Sequence, residues 1–128
     1  MSGFFSRLFG KTGGGASFDT VDAATLRDWL GSRDDITLVD VRGADEFVGP
    51  LGHIAGARNL PLGELPARLA ELAPLRERTL VLACLTDRRS GEACRQLVAA
   101  GFPRVVLLGG GMRGWHARGF AVEGASAS

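Results

Sequence analysis

Cysteine is scarce in this chain, with Cys84 and Cys94 the two examples in 128 residues. Two thiols cannot build the dense disulfide framework of a small secreted domain, and a free thiol suits a reducing compartment, so a cytoplasmic location is expected. Lysine is scarcer still: Lys11 is alone among 15 basic residues, a bias read as genome composition and given no function. Excess charge is also missing. A net charge of +1, with arginines scattered among acids, lacks the basic patch of a nucleic-acid binder, and no nucleic-acid partner is expected. No run approaches the roughly 20 apolar residues needed to cross a bilayer. Residues 1–10 lack the apolar core and cleavage pattern of a signal peptide. Neither a transmembrane segment nor export is therefore expected.

What is present is globular in composition, 45% hydrophobic and 23% charged, in a length that fits one domain. Residues 1–16 read as a flexible leader, in which Phe4, Phe5, Leu8 and Phe9 share a helical face and Gly13, Gly14 and Gly15 end it. The domain is expected over residues 17–122, followed by a tail at 123–128. Within it helix and strand signals alternate. A helix opened by Thr20 or Asp22 carries Leu26, Trp29 and Leu30, and residues 36–41 form a buried strand. A short strand or turn at 57–60 and a helix over 64–72 follow. A strand at 79–84, a helix from about 89 to 100, a strand at 104–108 and a short helix containing Trp115 complete the series. Such alternation predicts a mostly parallel sheet covered by helices on both faces. Ligands of such sheets sit beyond the carboxyl ends of the strands, here after Asp40 and Cys84.

The segment with most chemical content is Cys84-Leu85-Thr86-Asp87-Arg88-Arg89-Ser90. A cysteine ends a buried strand and a helix opens within a few residues. Loop N–H groups, the positive helix end and the charges of Arg88 and Arg89 converge near the sulfur, which favours a thiolate and cradles an anionic substrate or leaving group. A thiolate in an anion cup suits attack on a sulfane sulfur, with the persulfide product held by the same N–H groups. The alternative, an inert cysteine packed as a small hydrophobe, would not explain the arginines at this spacing.

Around this loop stand Asp40-Val41-Arg42, Glu46-Phe47 and Gly52-His53-Ile54-Ala55-Gly56-Ala57-Arg58-Asn59, with Gly110 and Trp115 near the end. In order and spacing the set resembles rhodanese-like domains, over residues 17 to about 122. The resemblance implies an α/β fold, a parallel five-stranded sheet flanked by helices on both faces. It also implies sulfurtransferase activity, moving sulfane sulfur from a small anion such as thiosulfate, or from a persulfide, to cyanide, a thiol or a protein acceptor. Cys84 would be the nucleophile that carries the sulfur as a persulfide, with no separate cofactor and no metal. Residues Leu85, Thr86, Asp87, Arg88, Arg89 and Ser90 would bind the donor, Arg89 being the donor-binding arginine. Asp40, Arg42, His53 and Asn59 match framework positions near the site and are read as hydrogen-bonded anchors.

Two features depart from the family pattern. Asp87 stands where glycine is common, which predicts a left-handed backbone at some cost and a carboxylate that opposes thiosulfate. Val48-Gly49-Pro50-Leu51 makes a slightly longer connection, altering a surface turn. Other motifs fall away. The Gly109-Gly110-Gly111-Met112-Arg113-Gly114 run has the letters of a dinucleotide fingerprint but no following strand or acidic residue about 20 positions on, so it is read as a tight strand-to-helix turn. Gly10-Lys11-Thr12 lacks the upstream glycine and strand of a phosphate-binding loop. Cys94 lies along a helix roughly 15 Å beyond Cys84, too far for a direct disulfide, and is read as core. His53 and His116 have no partners at metal-ligand spacing. A phosphatase loop would place its arginine six positions after the cysteine, where this chain has Ser90. A persulfide carrier or protein-binding module without turnover remains as the alternative function.

Overall fold

A computed structural model describes residues 17–126. The leader expected at 1–16, and residues 127–128 of the expected tail, lie outside them. In chain order the elements are β1 (Asp19–Val21), α1 (Ala23–Ser32), β2 (Ile36–Asp40), α2 (Ala44–Phe47), β3 (Arg58–Asn59), α3 (Leu65–Arg68), β4 (Thr79–Ala83), α4 (Arg88–Ala99), β5 (Val105–Leu108) and α5 (Gly111–Ala117). Every strand pairing is parallel, in the order β1-β5-β4-β2-β3. The α/β fold with a five-stranded parallel sheet is therefore present as expected.

Side-chain alternation along the strands sorts the core into two layers. Val39, Val41, Leu80, Leu82, Cys84, Val105 and Leu107 pack on one face with Leu65 of α3 and Ala93, Cys94 and Leu97 of α4. Leu38, Val81, Ala83, Val106 and Leu108 pack on the other with Ala23 and Leu26 of α1 and Met112 and Trp115 of α5. β4 is buried along its whole length, as a central strand covered on both faces must be. Cys84 continues the Leu80–Leu82 face by one more alternation, which turns its side chain toward α4.

One alternative is resolved and two local readings change. The first helix starts at Ala23 and not at Thr20, with Asp22 as its N-cap accepting from the Thr25 N–H at 2.8 Å. Residues 19–21 are instead the edge strand β1, paired with β5 from Asp19 opposite Val106 to Val21 opposite Leu108. Two exposed residues and a half-buried valine carry no apolar run to reveal them. The helix expected over 64–72 is broken into α3 between two single turns of 3₁₀ helix, Leu62–Glu64 and Leu69–Glu71. Pro66, in the first turn of α3, donates no hydrogen bond back to the preceding turn.

The described part of the expected tail is tied down. His53 and Glu123 exchange backbone hydrogen bonds of 3.0 and 2.8 Å, and the Ser126 N–H donates to the Gly49 carbonyl at 3.0 Å. The Val48-Gly49-Pro50-Leu51 turn is thus the seat of the chain's last described residues. No helix among the described residues is long and apolar enough to cross a membrane.

Candidate functional site

Cys84 follows the last residue of β4, and α4 begins at Arg88, so the loop between them spans the carboxyl end of the central strands. Its carbonyls face α5: the Met112 N–H donates to the Cys84 oxygen at 2.8 Å and the Arg113 N–H to the Leu85 oxygen at 3.0 Å. In a planar trans peptide the N–H points opposite to the carbonyl. The N–H groups of Leu85 and Thr86 are therefore turned away from α5. None of the N–H groups of residues 85–90 donates to a described residue. They are free to meet a negative charge, and the first turn of α4 adds its positive end.

Gly111 makes this arrangement possible. Its φ of +54° and missing side chain let α5 start against the loop, where a Cβ would stand within 2.6 Å of the carbonyl oxygens of Cys84, Leu85 and Thr86. The Gly109–Gly114 run is the strand-to-helix turn after β5, with Gly110 also left-handed at φ +81°.

The Cys84 side chain is only 1% exposed, and its Sγ lies 3.3 Å from Ser90 Oγ, which in turn donates to the Asp87 carbonyl at 3.2 Å. The hydroxyl can rotate to donate to a sulfur anion. Cys94, on the same core face, is fully buried, and that burial pushes its thiol up to about 12, with a minor opposing pull from Arg95.

Asp87 departs from its expected conformation. Its φ is −134°, outside the left-handed region, so aspartate costs no backbone strain here. Its Oδ1 accepts from the Gly110 N–H at 2.8 Å. The carboxylate thereby ties the loop to the start of α5.

Arg89 is also engaged. Its Nη1 and Nη2 meet Glu46 Oε1 and Oε2 at 2.8 and 3.0 Å, a two-point pair between α4 and α2. The Glu46 carboxyl is held at about 2, chiefly by the Arg89 hydrogen bond against a desolvation cost, with help from the Gly43 N–H. Arg89 is correspondingly shifted up, first by Glu46 and more weakly by Cys84 and Asp40. Glu46 received no role from the sequence. Its signal was indirect: it follows β2, whose parallel register puts Asp40 beside Ala83 and so brings α2 up to the Cys84 loop.

The framework residues lie at the neighbouring strand ends. Asp40 and Arg42, each 1% exposed, form a buried pair through Arg42 Nε to Oδ1 at 3.0 Å and Nη2 to Oδ2 at 2.8 Å. Arg42 also donates to the Gly52 carbonyl at 2.7 Å. Asn59 donates to the Asp40 and Arg42 carbonyls at 3.1 and 2.9 Å, fixing β3 to the chain leaving β2. His53 Nδ1 lies 2.7 Å from the Phe47 carbonyl, which can only accept, so this nitrogen carries the proton. Its ring stacks on Phe47 at 3.7 Å. Among the described residues no group of three or more His, Cys, Asp or Glu stands where it could hold a metal ion.

A strand-end cysteine beneath a loop whose N–H groups meet no acceptor among the described residues, framed by these anchors, is matched by the family model for the rhodanese-like domain at residues 22–118. The chain belongs to that family. A sulfurtransferase of Allochromatium vinosum is 32% identical over 102 residues, covering 80% of this chain and 92% of that protein. YrkF of Bacillus subtilis, whose name gives it as a candidate sulfur carrier, is 30% identical over 78% of this chain but only 52% of its own length. The solved thiosulfate sulfurtransferase of Pseudomonas aeruginosa superposes with a TM-score of 0.71 and 30% identity, over 81% of this chain and 20% of that one. Rhodanese-like relatives thus include proteins named for sulfur transfer and for sulfur carriage.

Proposed function

We propose that this rhodanese-like domain is a sulfurtransferase that works through a persulfide on Cys84. One observation carries the reading: a buried Cys84 stands under N–H groups that no described residue accepts from. In the first step the Cys84 thiolate attacks the outer sulfur of the donor. The Sγ–S bond forms as the donor's S–S bond breaks, and the leaving group departs with the electron pair, as sulfite when the donor is thiosulfate. The persulfide anion left on Cys84 is stabilised by the loop N–H groups. In the second step cyanide or a thiolate attacks the outer sulfur, forms its own bond to it and returns the Cys84 thiolate.

No cofactor beyond the enzyme-bound sulfur enters this scheme. The 1% exposure of Cys84 favours donors with a terminal sulfur over a bulky tetrahedral ester, which also argues against phosphatase chemistry. A cytoplasmic setting, which keeps the thiol reduced, fits the same chemistry. The relationship to YrkF supports a second reading, a carrier that holds the persulfide for a protein acceptor without small-molecule turnover.

Mass spectrometry before and after incubation with thiosulfate tests the proposal. A gain of one sulfur atom, absent in Cys84→Ser and present in Cys94→Ser, is expected. Multiple turnovers with cyanide separate enzyme from carrier. Persistent turnover in a folded Cys84→Ser protein would sink the assignment.

A further inference from the structure

We propose that Glu46 selects among sulfur donors by charge, holding Arg89 in an ion pair so that the site favours donors of low negative charge over the thiosulfate dianion. This rests on Cys84 being the reacting sulfur.

Arg89 lies five positions after Cys84 in the first turn of α4, where its guanidinium would meet the oxygens of an anionic donor. Both of its terminal nitrogens are already spent on Glu46, at 2.8 and 3.0 Å. A donor that needs the same two-point face must displace the carboxylate or accept it as a neighbour. Glu46 is not loosely placed, since Oε1 also accepts from the Gly43 N–H at 3.1 Å, which closes the first turn of α2 on itself. Asp87, the acid within the loop, accepts from the Gly110 N–H and makes no hydrogen bond to Arg89 among the described residues, and of the negative groups that act on Arg89, Glu46 comes first, ahead of Cys84 and Asp40. The side chains of the pair are 32% and 39% exposed, a setting in which the interaction is modest yet still acts on a second charge brought alongside.

Thiosulfate and methanethiosulfonate provide the comparison, because both present a terminal sulfur on a sulfonyl group and they differ by one negative charge. With the second donor the Cys84 thiolate takes the outer sulfur, and methanesulfinate leaves with the electron pair of the broken S–S bond. Glu46→Gln removes the charge and keeps an oxygen for the Gly43 N–H. It is expected to raise the ratio of kcat/KM for thiosulfate to that for methanethiosulfonate roughly three- to fivefold, mainly through KM. A second readout does not depend on sulfur transfer. The rate of Cys84 alkylation by anionic iodoacetate, relative to neutral iodoacetamide, should rise in the same direction. Glu46→Ala, a second uncharged variant, must move both ratios the same way, and Glu46→Asp, which keeps the charge, must move them less.

If transfer proceeds but neither ratio rises in the uncharged variants, Glu46 is a structural partner of Arg89 and the inference is overturned. If no sulfur is transferred from either donor while the alkylation ratio rises, charge selection at Cys84 stands and the sulfurtransferase reading fails.

Discussion

Gly111 lies against the main-chain carbonyl of Cys84, so close that a Cβ on Gly111 would stand within 2.6 Å of that oxygen and of the next two along the loop. The contact fixes which way the loop's peptides face. With the carbonyls held on α5, the N–H groups turn away from it, so the loop's orientation follows from packing between two elements and not from the loop alone.

Gly111→Ala should therefore damage the site through its backbone. The added methyl group meets three oxygens of main chain, which cannot swing aside as a flexible side chain would, and alanine at φ +54° is itself strained. We expect a loss of at least about 1–3 kcal/mol in stability together with a fall in sulfur loading of Cys84. Urea unfolding and mass spectrometry report the two effects. Loading at the normal rate in a protein of normal stability would show that the loop does not depend on this contact.

Asp87 should behave as a tether. Asp87→Ala removes the acceptor for the Gly110 N–H, an end-of-helix hydrogen bond whose loss costs about 0.5–2 kcal/mol, while Asp87→Asn keeps an oxygen in place and should recover most of it. Turnover with thiosulfate and with methanethiosulfonate should fall together in Asp87→Ala. A selective gain for thiosulfate would mean that the Asp87 carboxylate faces the donor after all, and would move the charge argument from Glu46 to Asp87.

The Asp87 tether marks the boundary of what was legible in the sequence. The Cys84 loop was legible because strand, cysteine, arginines and helix are contiguous, and contiguity is what hydrophobic patterning and helix-end electrostatics describe. The parallel sheet followed from alternation of the same signals. The Glu46–Arg89 pair was not legible, because its members are 43 positions apart and meet only through the β2–β4 register. The Asp87 backbone was not legible for a related reason: the loop's own residues suggest a left-handed turn, whereas the Gly110 N–H, 23 positions away, meets the Asp87 carboxylate and φ is −134°. Residues 19–21 escaped notice because an edge strand of three residues gains its stability from pairing with β5 and not from any pattern of its own.

Acid should weaken the fold in a defined window, and Glu46 should account for part of it. The Glu46 carboxyl is lowered from 4.5 to about 2, first by the Arg89 hydrogen bond, and the Asp35 carboxyl from 3.8 to about 2, first by Arg33. A carboxyl depressed on folding contributes stability that is fully present above its unfolded value. That contribution is lost as pH falls toward its folded value, because the unfolded chain takes up the proton first. Both groups therefore add a constant term above about pH 5.5 and a falling one from there to about pH 2. Each pair is partly open to solvent, so screening limits its contribution to about 1 kcal/mol or less. In urea unfolding at a series of pH values, the stability difference between wild type and Glu46→Gln should be constant from pH 8 to about pH 5.5 and shrink steadily below about pH 4.5. A difference that stays unchanged down to about pH 2.5 would mean that the Glu46 carboxylate gains nothing from Arg89 in the folded protein, and that the two-point contact is geometry without energetic weight.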